Sequence, residues 1–120
     1  MQNIQRLDDL LIQAVDETLT SLGKSVKNQI YILLEENYSI QKQDLPQKTA
    51  RFSEFLYRVF GAHARLIELK CMKSFYSKIK KDPNLNILTV SLEDNNLTFS
   101  AYTEAFRETI KMVQNTRASN

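Results

Sequence analysis

Apolar residues near the start of the chain recur at helical spacing. Ile4, Leu7, Leu11, Ala14 and Thr18 step by threes and fours, while Leu10, Val15, Leu19 and Leu22 widen the stripe. Asp8, Asp9, Asp16 and Glu17 fall mainly on the remaining surface. The spacing predicts a helix over residues 4–22 that needs a partner helix, in this chain or in a second copy. Gly23 stops or kinks it. A second helix is predicted over residues 25–37. Val26, Ile30, Leu33 and Leu34 share one face, with Tyr31 and Ile32 outside it, a pattern that suits a helix held between neighbours. Residues 38–48 are polar, contain Asp44-Leu45-Pro46, and read as a loop.

The cleanest periodicity lies at residues 49–60. Phe52, Phe55, Leu56, Val59 and Phe60 share one helical face, with Thr49 as N-cap and Gly61 as stop. A single glycine spacer demands a tight corner into a fourth helix over residues 62–80. On it Ala64, Leu69, Cys71, Met72, Phe75, Tyr76 and Ile79 spread over a broad apolar face. Arg65 and Glu68 point into that face one turn apart. The opposite side collects His63, Lys70, Ser74, Ser77 and Lys81.

Beyond Pro83 the pattern changes. Residues 87–92 are rich in β-formers and predict one short strand, with a turn at residues 93–96. Tyr102, Ala105, Phe106, Thr109, Ile110 and Val113 keep helical spacing, and Thr98 is placed to cap a last helix over residues 99–115. A second strand running to Tyr102, which would close a hairpin, is the alternative. The expected fold class is therefore mainly α: a four- to five-helix bundle with one short β-strand or hairpin near residues 86–99. It is read as a single helical domain with an N-terminal helix (1–22), a helical core (23–81) and a strand plus C-terminal helix (83–120).

Composition narrows the chemistry more than the fold. With 42% hydrophobic and 25% charged residues but only two glycines and two prolines in 120 residues, the chain suits one helical core. An all-β chain would need more turn residues. One Cys, one His and no Trp leave no metal-ligand spacing, no nucleophile–base set and no phosphate-binding glycine loop. Neither catalytic, metal nor cofactor-binding residues are expected, and the chain reads as a non-enzyme. Residues 1–22 lack the plan of a signal peptide, and the longest unbroken apolar run is five residues, far below a membrane span. A cytoplasmic location without membrane contact is the expectation.

Charge is uneven along the chain. The formal net charge is +2, yet residues 61–82 carry +4 and residues 1–22 carry −3, which points to an anionic partner or to contacts between end and middle. Arg65 and Glu68, too costly to leave unpaired in an apolar face, should pair with each other or across an interface. The apolar stripes of the first and last helices exceed what a small bundle needs. They predict a homo-oligomer, in the simplest case a symmetric dimer, through Leu7, Leu11, Val15, Arg65, Glu68, Tyr102, Phe106 and Ile110. The rival reading is a nucleic-acid-binding protein of winged-helix type, or a factor bound to a large assembly such as the ribosome. It would use His63, Lys70, Lys73, Lys78 and Lys81 on the basic fourth helix, with the hairpin as wing.

Several residues between positions 19 and 79 form a further pattern: Leu22-Gly23-Lys24-Ser25-Val26, then Ile30-Tyr31 and Leu34, Pro46 followed by Phe52, and Phe60-Gly61 with Ala64, Leu66, Ile67 and Glu68. In these features the chain resembles the Nitrosopumilus output domain family. The resemblance implies a small helical module used in archaeal signal transduction beside sensor and receiver domains, with a regulatory role through protein–protein interaction. It implies no catalytic activity.

Overall fold

Helix α1 (Gln2–Ser21) forms the centre of the molecule because its apolar positions cover more than one side. Leu7, Leu10, Leu11, Ala14, Val15 and Leu19 are all buried. Such a width requires neighbours on several flanks. Helices α2 (Lys24–Tyr38), α4 (Ala64–Lys81) and α5 (Phe99–Ala118), together with a short 3₁₀ helix (Lys42–Gln47), all pack against it, α4 most extensively. Helix α3 (Thr49–Phe60) bridges α2, α4 and α5. The computed structural model describes residues 2–88 and 97–118, and among these the protein is an all-α bundle without strands.

Two glycines make the corners. Gly23 has φ +118° and joins α1 to α2. Gly61 has φ +58° and ψ −134°, a region that residues with a Cβ avoid, and it separates α3 from a single 3₁₀ turn (Gly61–His63) leading into α4. Helix α2 ends instead on Ser39 in the left-handed region, whose N–H donates to Glu35 O while Ile40 N–H reaches back to Leu34 O. Buried Ile40 completes this helix stop.

Three expectations need correction, and a fourth lies mostly outside the described residues. The polar stretch 38–48 is not wholly a loop. Gln41 N–H donates to Asp44 Oδ2 at 3.0 Å, and the 3₁₀ turn this starts inserts Leu45 and Pro46 into the core. Thr49 does not cap α3; it is the first helical residue, and its hydroxyl donates to Ser100 Oγ at 3.0 Å. The strand over residues 87–92 lies mostly outside the described residues, and Ile87, its first position, lies in a turn. Asp82 takes hold of the chain there: its carboxylate accepts Asn84 N–H, and its carbonyl accepts the N–H groups of Leu85 and Asn86. That winds residues 83–87 into turns which bury Leu85 and Leu88. A second strand running to Tyr102 is excluded because Phe99 to Tyr102 are helical, with Thr98 Oγ1 accepting Ala101 N–H at 3.0 Å as the cap.

Ion pairs tie the distant elements to α1. Asp8 meets Arg107 of α5 at 2.5 Å, Arg6 meets Asp82 at 2.8 Å, and Glu17 meets Lys78 of α4 at 2.7 Å. Asp16 accepts from Lys42 and from the Tyr31 hydroxyl. The Arg6 hydrogen bond holds the Asp82 carboxyl below its ordinary range, and the Lys78 hydrogen bond does the same for Glu17. At Asp16 burial pushes the other way, but Lys42, Tyr31 and Lys27 together prevail and its value is lowered too. These groups stabilise the fold above their unfolded values near pH 4, and that stabilisation is lost as the pH falls through the depressed folded values. Asp8 has the opposite sign: burial outweighs Arg107 and raises it, so its contribution is present at low pH and is lost as the pH rises through its folded value. Thermal melts should therefore show a midpoint that drops below about pH 4, and Asp82→Asn should flatten that acid limb. An unchanged limb in Asp82→Asn would show that the Arg6–Asp82 link does not set it.

Candidate interaction surface

Helix α4 is amphipathic in an unusual way. Its inner side buries Ala64, Ile67, Cys71, Met72, Phe75 and Ile79, while its outer side exposes Leu66, Lys70, Lys73, Ser77 and Lys81. Steps of four, three, four and four residues set these five side chains in one stripe along the helix, about 22 Å long at 1.5 Å per residue. Leu66 is 59% exposed. Half-buried Leu69 and Tyr76 border the stripe on one flank.

The lysines of α4 divide by what they touch. Lys78 is taken by Glu17. Lys80 donates to the carbonyls of Asn86 and Leu88 and lies over the Tyr76 ring at 5.4 Å. The side chains of Lys70, Lys73 and Lys81 make no ion pair, hydrogen bond or ring contact among the described residues; those of Lys24 and Lys48 are the other lysine side chains in that condition. Three of five such cations thus fall on one helix face. His63 is exposed in the 3₁₀ turn just before α4. Of the residues expected to contact nucleic acid, the structure gathers Lys70, Lys73 and Lys81 on one stripe, sets His63 at its upper end, and removes Lys78 into a pair with α1.

The apolar residues expected at a dimer interface lie inside the bundle. Leu7, Leu11, Val15, Tyr102, Phe106 and Ile110 are each at most 2% exposed within one chain. The stripes that looked surplus are used internally, because α1 receives neighbours on several sides at once. Arg65 and Glu68 do pair, at 3.5 Å, but within the chain. Glu68 is 3% exposed, and α3 completes its shell: Ser53 Oγ donates to it at 2.5 Å and the Tyr57 hydroxyl at 3.3 Å. This cluster ties α3 to α4 across the corner at Gly61.

Cys71 is fully buried, and burial pushes its thiol up to about 12. At neutral pH it stays protonated and packs as a small apolar group. Among the described residues no set of three or more His, Cys, Asp or Glu could hold a metal ion, and no helix is long and apolar enough to cross a membrane.

Sequence reasoning missed Leu66, although its place on the wheel beside Lys70 and Ser77 was readable. The capture of Lys78 was not readable, since Glu17 lies 61 residues away. No family model, curated protein or solved structure matches the chain, so the role of each residue on this face rests on its own geometry.

Proposed function

We propose that this chain is a non-enzymatic helical interaction module that engages an anionic partner through the outer stripe of α4. The observation that carries the reading is the gathering of Lys70, Lys73 and Lys81, all exposed and without partners among the described residues, on one face. Most other cations are already committed: Arg6, Lys27, Lys42, Arg51, Arg65, Arg107 and Lys111 all face carboxylates. Unpaired like charges one turn apart repel one another, and a negative partner relieves that repulsion. A regulatory role, as the family resemblance implies, suits such a module. The homodimer reading loses its main support, because the residues assigned to it need no second copy to cover them.

Heparin-column retention tests the proposal. Lys70→Glu/Lys73→Glu should elute at clearly lower salt than the wild type. A control with the same change in charge, Lys24→Glu/Lys48→Glu, should shift less. Both pairs lie on exposed surface, so folding stability should stay within about 0.5 kcal/mol per site. Equal elution of the two double variants would reduce the effect to net charge and remove the reading.

A further inference from the structure

The same stripe carries apolar as well as basic side chains, and the combination narrows the partner. We infer that the outer face of α4 docks an acidic amphipathic helix of a partner protein, with Leu66 as the apolar anchor and Lys70, Lys73 and Lys81 facing its carboxylates. This rests on the reading of α4 as the working surface and goes beyond it in naming the partner's chemistry.

Charge complementarity is the first support. A helix laid along α4 would meet cations at positions 70, 73 and 81, a spacing that a carboxylate every third or fourth residue matches. Shape is the second. The stripe is a convex helical ridge about 22 Å long, which corresponds to about 15 residues of a partner helix. Small Ser77 between Lys73 and Lys81 allows close approach. Apolar content is the third: Leu66 stands 59% exposed at the upper end, with Leu69 beside it. A leucine on the partner would bury both, whereas phosphates offer an exposed leucine nothing.

Nucleic acid fits the face less well. The stripe has no arginine, whose planar fork matches phosphate and guanine edges. The Arg65 guanidinium is drawn to Glu68 instead. Residues 99–102, which would complete a wing, are helical.

The experiment is an amide NMR titration of the full chain with a synthetic 18-residue helix-forming peptide. That peptide carries leucines at every third or fourth position, flanked by glutamates. A scrambled peptide of identical composition and a 20-base-pair duplex serve as comparisons. The expected result is a set of saturable shifts along α4 from Leu66 to Lys81 with the amphipathic peptide, and weaker ones with the scrambled peptide. Leu66→Ser should weaken the binding about tenfold without altering heparin retention, because it removes the anchor and leaves the charge. Three results would overturn the inference: no shifts on α4, equal shifts with the scrambled peptide, or binding unchanged in Leu66→Ser. Shifts on α4 with the duplex alone would also overturn it while leaving α4 as the working surface. Indistinguishable heparin elution of the two charge-reversal variants would instead remove that underlying reading.

Discussion

Phe75→Ala should cost about 4 kcal/mol of folding stability, read as a fall in the urea midpoint at unchanged slope. Phe75 has no exposed surface and sits edge-on to Phe106, with ring centres 5.5 Å apart, and to Tyr102 at 6.5 Å. Tyr102 and Phe106 meet edge-on at 5.1 Å, so the three rings form one closed cluster joining α4 to α5. Removing the shared ring loses both contacts and leaves a cavity that two stiff aromatic neighbours cannot fill. Domains of this size are stable by about 5–15 kcal/mol, so the variant should sit near the edge of folding. Tyr102→Phe is the internal comparison. Its hydroxyl is buried without a hydrogen-bond partner, so deleting it should cause no loss. A loss below about 2 kcal/mol in Phe75→Ala would mean that α5 packs more loosely on α4 than these distances require.

Glu68→Ala should cost about 2–3 kcal/mol. The carboxylate gathers three groups, Arg65 from its own helix and Ser53 and Tyr57 from α3. Deleting it strips an acceptor from each and opens space under the corner at Gly61. Arg65 is 27% exposed and can turn toward water, which keeps the loss below that of a fully buried pair. Glu68→Gln should retain the contacts in weaker form and lose about half as much. Equal stability of the Ala and Gln variants, measured by the same urea titration, would show that the polar cluster is incidental to the corner.

The helices themselves were legible because their information is local. Phe52, Phe55 and Leu56 repeat at helical period, Gly61 stops them, and Thr98 starts the last helix, all within a few residues of the feature they determine. What escaped depends on distance along the chain. The turn that buries Leu45 exists because α1 offers it a place, and a polar stretch in isolation carries no sign of that. Residues 84–86 are gathered by the Asp82 carboxylate and carbonyl, and Leu88 N–H by the Leu85 carbonyl, contacts that β-propensity at residues 87 and 88 does not announce. The apolar width of α1 was visible, but width alone does not say whether its cover comes from the same chain. The candidate surface was half legible: Lys70, Lys73 and Lys81 stood out, while their distinction from Lys78 and Lys80 needed the positions of Glu17 and of the Asn86 and Leu88 carbonyls.

The placement of α1 against α4 has a cost in time. About sixty residues separate the end of α1 from the end of its principal cover, and synthesis at roughly 5–20 residues per second takes several seconds to supply them. Throughout that interval only α2 and the 3₁₀ helix can cover the leucines of α1, and the flank that α4 will occupy stays open to water and to neighbouring polypeptides.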